Sequence, residues 1–500
     1  MSDTNLLPMS WIPILYTNGK TCRVGIREAL TRAGRIRQIA ASNPMDNVAI
    51  LRLLLAVVQW CKPTLTDAER NSLEGADGIR TEWLGKLGTE DEPCEAFELL
   101  KNSHNFMQAP VGQGSPRPVA DLFHELPGAT NKAFFHHITD YREGICLSCL
   151  ALGLTRLPVA ITAKGQGKHT GINGDVPIYF IPSGSTLLQT LLLNYPFDRI
   201  EGDKPCWEQG FAQRGSEAPV GIMEGFTWIP RQFAIDKSRL TCGVCIMCSR
   251  HTNSLVTGLK EVNAPNGRSG LSRSPAWKDP HLAYIKDGKS MRPGHADKNL
   301  PTTAGEWREW LCALTDSESL PKAVAIALER AEPTEPVHVM LAGLAVVNDK
   351  SVESCYYTVE MSGLRSALLE KSSRLDELVS KYLNPQVTKR GKALMTFKKK
   401  HPLRVIRYAD RPLPDSVRAA LADRLPTLEH KMSDAVRRSI AQPGQAAAVD
   451  IQLLARETEW YKQLEQVARA TAPGSPLRRL EATRKAQKLL ADAIGNGGEQ

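Results

Sequence analysis

Two short cysteine pairs constrain this chain more than any other feature of its sequence. Cys146-Leu-Ser-Cys149 and Cys245-Ile-Met-Cys248 each set two sulfurs three positions apart, and Cys242 stands just before the second pair. A CxxC turn points both sulfurs at one ion, and two such turns complete a tetrahedral Zn²⁺ shell. Nearly a hundred residues separate the pairs, which excludes a compact zinc finger. The predicted site is therefore a staple between two loops of one domain. Four thiolates leave no open coordination position, so Zn²⁺ held by Cys146, Cys149, Cys245 and Cys248 is expected to be structural. The plainer alternative is four buried free thiols. A redox role for Cys146 and Cys149 lacks the βαβ context such motifs need.

The other cysteines are mostly single, which suits a reducing compartment, and a cytoplasmic protein is expected. No unbroken apolar run reaches the roughly eighteen residues of a membrane span. The opening MSDTNLLPMSWIPILY has no basic region ahead of a long apolar one, so neither a secretory signal nor a membrane partner is expected.

The chain changes texture near residue 362. Before it, Gly and Pro are frequent and apolar runs are short. Helices are expected at Ala49–Cys61 (apolar nearly all round, hence buried), Glu95–Asn102 and Glu306–Leu314. Strands are expected at Val176–Ile181, Thr227–Ile229, Leu282–Ile285 and Val337–Leu341. Asp287-Gly288 is a hairpin signal. Beyond residue 362, helical spacing recurs in Ser362–Leu383, Asp415–Leu421, Thr427–Ile440, Val449–Ala470 and Pro476–Ile494, separated by Pro/Gly breaks. Ser475-Pro476 and Gly495 supply the cap signals of the last helix. The expected fold class is α+β: a large irregular mixed domain with long loops over residues 1–361, then a C-terminal antiparallel helical bundle over 362–500.

Two stretches suggest a polyanion. TAKGQGKHTGINGD (162–175) holds four glycines, Lys164, Lys168 and His169. It fails the Walker A pattern, because His169 follows Gly167-Lys168 and Thr162 stands where the first glycine belongs. It fails the dinucleotide pattern because Gly171 comes one residue late. What remains is a side-chain-poor cationic backbone over Ala163, Lys164, Gly165, Gln166, Gly167 and Lys168, able to enter a groove and meet phosphates, or else a plain surface loop. Thr388–Arg407 carries eight Lys/Arg and no acid, including Lys398, Lys399 and Lys400. That is the composition of a strand-tracking surface, or of a solvated face. The net charge of +9 leans the same way. For catalysis, His136, His137 and Asp140 offer a metal-dependent nuclease as the alternative class; no G-x-S-x-G or H-E-x-x-H accompanies them.

Several of these pieces fall in a familiar order: SWIPI (10–14), HNFMQ (104–108), GATNKAF (128–134), the first CxxC, the glycine-rich segment, GFTWIP (225–230), the second CxxC and TGLKE (257–261). In that order, and over essentially its whole length, the chain resembles the large subunit of the type I-E CRISPR surveillance complex, Cascade. The resemblance implies a non-catalytic protein that tests double-stranded target DNA for a short protospacer-adjacent motif through the minor groove. It also implies a role in starting unwinding and in docking a separate helicase-nuclease. Three contacts are implied: the segment Ala163–Gly167, a lysine-bearing segment matching Leu259–Asn263 (with Lys260 and Asn263), and a hairpin wedge at Asn348, Asp349 and Lys350. Asn131 and Phe134 fall in the loop implied to meet the crRNA end and neighbouring Cascade subunits and to help hold DNA. Two positions depart from the family pattern: Asp349 replaces the wedge glutamine, and the groove lysine falls on Val262. A purely structural, zinc-stapled assembly subunit is the third reading.

Overall fold

Alternating apolar residues near the N-terminus build the first sheet. In the computed structural model, β1 (Ile12–Tyr16), β2 (Thr21–Val24) and β3 (Ile36–Ile39) pair antiparallel in the order β2-β1-β3, with α1 (Ile26–Thr31) between the second and third strands. Ile12, Ile14 and Ile36 turn inward, and Trp11 is buried with its indole N–H donating to the Leu6 carbonyl at 3.1 Å. The structure describes residues 4–100, 105–108, most of 114–126, 144–160 and parts of 172–361.

The helix expected at Ala49–Cys61 starts earlier. Asn43 caps it, its side-chain oxygen accepting from the Met45 N–H at 2.9 Å, and Pro44 occupies the first turn, so α2 runs Pro44–Cys61. By length and composition α2 could cross a membrane. It is instead the core helix: nearly every residue is buried, including Asp46 and Arg52. The short α3 (Asp67–Asn71) follows, opened by a Thr66–Glu69 capping box. Against α2 pack α4 (Leu147–Arg156), α5 (Leu187–Leu193) and, after the short α6 (Cys206–Gln209), α7 (Ile222–Thr227).

The remaining strands form small separate sheets. β4 (Ser115–Arg117), β9 (Leu259–Val262) and β6 (Gln232–Ile235) pair in that order. β7 (Leu240–Val244) and β8 (His251–Val256) form a two-stranded sheet, as do β10 (Tyr284–Asp287) and β11 (Ser290–Pro293). Asp287 pairs with Ser290, so the Asp287-Gly288 hairpin signal is borne out. Beyond α8 (Lys322–Arg330), β12 (Val337–Val347) and β13 (Ser351–Met361) lie side by side, and β12 also joins β5 (Tyr179–Ser183). Val337, Val339 and Leu341 alternate inward as a half-buried strand requires.

Two local expectations are overturned. Of the helix expected at 95–102, the described residues 95–100 do not form it: Glu95–Phe97 is a single 3₁₀ turn and Glu98 is extended. The cause is tertiary, since the Glu98 carboxylate is buried against the Thr4 hydroxyl (2.9 Å) and the Asn5 amide (3.1 Å). Residues 227–229 do not make a strand. Thr227 closes α7, its hydroxyl donating to the Met223 carbonyl at 2.7 Å, and the strand comes later as β6. Of the helix expected at 306–314, residues 307, 310 and 311 are described and are helical.

By packing, the chain divides into two units. One comprises residues 1–298, 321–323 and 340–356, the other 299–320, 324–339 and 357–500. The expected bundle, 362–500, lies outside the described residues.

Candidate functional site

Each cysteine pair sits where its local structure exposes sulfur to a common point. Cys146 is the residue before α4, and Cys149 lies in that helix's first turn. Helix N-termini favour anionic groups, here thiolates. Cys245 and Cys248 lie in the turn between β7 and β8. The turn is closed by Cys245 N–H to the Arg250 carbonyl (2.9 Å) and Ser249 N–H to the Cys245 carbonyl (2.8 Å), with Ser249 left-handed at φ 57°. Backbone then joins the two knuckles. Ile145 and Val256 exchange two hydrogen bonds of 2.9 Å, and the Ile246 N–H donates to the Gly144 carbonyl at 3.1 Å. Only glycine fits at 144, since a Cβ there would lie 2.3 Å from the Val256 carbonyl oxygen.

All four sulfurs lie within 4.8 Å of one another, and Cys146 and Cys248 are 3.6 Å apart. A tetrahedral thiolate shell with bonds of about 2.3 Å has edges of about 3.8 Å. Size and donor set therefore fit an ion of the zinc type, and the four residues could hold a metal ion. Electrostatics agree. Hydrogen bonds from Cys146 and then Cys149 pull the Cys245 thiol far below its ordinary range. Hydrogen bonding to Cys146 and Cys245, with burial, pushes Cys149 far up. For Cys146 the Cys149 hydrogen bond lowers the value, but Cys245 and burial outweigh it, leaving the thiol at about 11. Four sulfurs this close cannot all ionise without a cation, and a cation binding there would displace protons. Cys242 is exposed on β7 and outside the cluster.

A second buried cluster was not expected from sequence. Arg52 and Asp279, both fully buried, form a two-pronged ion pair at 2.9 and 2.8 Å. The Phe226 ring covers the guanidinium at 4.0 Å. Arg52 also donates to His281 Nδ1 at 3.3 Å, so His281 is neutral and donates from Nε2 to Asn194 at 3.0 Å. Burial, and then the Arg52 charge, push His281 down to about 3. Asp279 accepts a third bond, from Asn173 Nδ2 at 2.7 Å, and Asn173 accepts from the Trp277 indole at 2.7 Å. A further buried pair, Arg156–Asp46 at 2.7 Å, fastens the end of α4 to α2. The available sequence signal was Arg52 itself, since a cation inside an all-round apolar helix needs a buried acid.

Of the predicted DNA contacts, Lys260 is described. It is half-exposed on β9, beside Pro116 of β4 and Ala234 of β6, while its neighbours Leu259 and Glu261 turn inward. Asn131, Phe134, Ala163–Lys168, Asn263, Asn348–Lys350 and Lys398–Lys400 lie outside the described residues, as do His136, His137 and Asp140 of the nuclease alternative. The strands on either side of 348–350 are neighbours in one sheet, as a hairpin there requires.

With the knuckles and their strands in place, comparison with known proteins becomes informative. A family model described as CRISPR-associated protein Cse1 matches residues 5–471. The chain belongs to the Cse1 family. A curated relative, the CRISPR-associated protein CasA/Cse1 of Thermus thermophilus, is 31% identical over 219 residues. That alignment covers 41% of this chain and 42% of the relative, so it spans under half of the relative's length. The crystal structure of Cse1 from Acidimicrobium ferrooxidans is 18% identical and covers 98% of both chains with a TM-score of 0.61. A chain of a CRISPR RNA-guided surveillance complex, pre-nicking, is 14% identical and covers 99% of both with a TM-score of 0.57. These two likenesses concern the fold.

Proposed function

We propose that this Cse1-family chain is the large, non-catalytic subunit of an RNA-guided surveillance complex and reads a short motif flanking the target. The observation that carries the reading is the family match over residues 5–471. The fold shared with a chain of a surveillance complex supports it. In this reading the glycine-rich segment Ala163–Lys168, Lys260 with Asn263, and the tip Asn348–Lys350 meet the minor groove of double-stranded DNA. That groove is about 6 Å wide and offers few distinguishing atoms, so bare backbone and short polar donors suit it. Asn131 and Phe134 contact the crRNA end and neighbouring subunits. The basic run with Lys398–Lys400 steers DNA, residues 362–500 form a helical bundle, and a separate helicase-nuclease docks on the assembled complex. Zn²⁺ is the proposed ion of the four-cysteine site and has a structural role there. The setting is cytoplasmic.

The staple suits this reading physically. It ties the segment following residues 128–134 to β8, and after two more residues the chain enters β9 with Lys260. The test is target binding by the reconstituted complex against duplexes carrying every flanking trinucleotide. Strong preference for a few trinucleotides, lost when Lys164 and Lys168 are replaced by alanine, is the expected result. Uniform binding across the set, unchanged by that double replacement, would leave only a scaffold.

A further inference from the structure

The β7–β8 hairpin carries exposed charge that the metal centre does not use. From Lys237 to Lys260 the sequence holds four Lys/Arg and one histidine, and no acid. Lys237 and Arg239 lie just before β7, Arg250 lies in the turn, and His251 opens β8; all four are exposed. Among the described residues, neither Lys237 nor Arg250 has an acidic partner. Exposed arginines elsewhere in the same packing unit do: Arg32 pairs with Glu28 at 2.9 Å, and Arg35 pairs with Asp77. The hairpin is thus a cationic projection with no carboxylate of its own.

Its frame is fixed before any ligand arrives. Val256 is bonded to Ile145 and the Ile246 N–H to the Gly144 carbonyl, and Leu255 and Val256 are buried. At the base, the Thr257 hydroxyl donates to the Arg239 carbonyl at 2.8 Å. The Arg239 guanidinium lies against Gly258, where an added Cβ would stand 2.8 Å from Nη1. Two residues on, β9 carries Lys260. Strands of five and six residues set tip and base about 15–20 Å apart, about five phosphates along one DNA strand. Cations held on such a frame lose little freedom on meeting a phosphate. No Phe, Trp or Tyr occurs between 237 and 260. A single strand is gripped by aromatic stacking as well as by charge. This surface offers instead cations and the exposed polar groups of Thr241, Ser249 and Asn253, the donors that meet the phosphates of a duplex.

We propose that the β7–β8 hairpin grips the sugar-phosphate backbone of double-stranded target DNA, with Lys237, Arg239 and Arg250 as its cations, and so sets the register in which Lys260 meets the motif. The proposal rests on the reading of this chain as a duplex-binding subunit, and the experiment separates the two. The probe is a matched duplex bound by the reconstituted complex over a series of salt concentrations. Each phosphate contact contributes about one to the slope of log affinity against log salt. Lys237→Ala with Arg250→Ala should therefore flatten the slope by about two and weaken binding alike for every flanking trinucleotide. Both side chains are exposed, so folding is not at stake. Lys237→Arg with Arg250→Lys keeps both charges and should keep the slope.

An unchanged slope in the alanine variant overturns the hairpin contact and leaves the duplex-binding reading standing. The competing role for Arg250 is to balance four thiolates around a divalent ion, a site of net charge about −2. In that case Arg250→Ala would speed loss of metal to a chelator without moving the slope, and the proposal would fall. A single-stranded target with the same guide match should bind the alanine variant and the parent with equal slopes. Equal flattening on that target would make the occupant a single strand and overturn the duplex assignment. If a complex lacking this chain binds the matched duplex with the same affinity and slope, the duplex-binding reading itself falls, and the hairpin contact with it.

Discussion

The cysteine staple and the arginine cluster solve the same problem with opposite chemistry. Each joins segments far apart in sequence at a buried point. The staple uses four soft sulfurs from two local turns, three of them buried. Its identity is written in spacing, and a metal ion would complete it. The arginine cluster uses a hard ion pair, two aromatic rings and three amide or imidazole groups drawn from residues 52 to 281. Its charges are paired within the protein, although the Arg52 Nε–H is buried without a partner among the described residues, and no spacing rule announces it. The difference teaches that a site assembled from local turns can be read before folding, whereas one assembled from single residues on many elements cannot.

The largest effect separating the two should come from cutting the ion pair. Arg52→Ala leaves Asp279 buried and unpaired, and a loss of about 3–5 kcal/mol is expected from chemical denaturation. Exchanging Arg52 and Asp279 together for Met and Leu should cost far less. If the single and double variants unfold alike, the pair is not the source of the stability.

Acid should act on the same cluster before it acts on the rest of the core. His281 is neutral in the fold and held down to about 3, chiefly by burial and then by the Arg52 cation. Below the ordinary histidine value of about 6.5, the unfolded chain takes up a proton that the native state refuses. Stability should therefore fall between about pH 6.5 and 3, at no more than about 1.4 kcal/mol per pH unit from this group. His281→Gln should flatten that slope; an unchanged slope would place the titration elsewhere.

For the staple, Cys146→Ser with Cys149→Ser should abolish bound metal measured by elemental analysis and loosen residues 144–149 and 245–256 in hydrogen exchange. The arginine cluster should stay protected. Gly144→Ala is a milder probe. Crowding against Val256 should cost about 1–3 kcal/mol and lower metal retention, read by competition with a chelator. The smallest effect concerns the proposed steering surface. Charge reversal at Lys398–Lys400 should reduce the salt dependence of duplex binding without changing motif preference. An unchanged slope would make that run a solvated face.

Much of the scaffold was legible because its signals are local. The buried helix at Ala49–Cys61, the hairpin at Asp287-Gly288 and the alternating strand at Val337–Leu341 follow from periodicity and turn chemistry. The failures at 95–100 and 227–229 have one cause. Glu98 was recruited by Thr4 and Asn5, and Thr227 by the Cys206 N–H, and such partners override weak local propensity. The motif residues divide in the same way. Trp11 and Phe226 belong to the core, while Cys146 and Cys245 belong to the candidate metal centre.

The sequence alone determined the four metal-type ligands, because a two-residue spacer sets sulfurs side by side in any turn, and it determined the family through the order of short motifs. Only tertiary structure decided that the two knuckles share one point, since that depends on the Ile145–Val256 pairing across the chain. It alone also decided that Arg52, Asp279, Asn173 and Tyr179 meet. Buried charges find partners wherever packing brings them, and sequence distance places no limit on that.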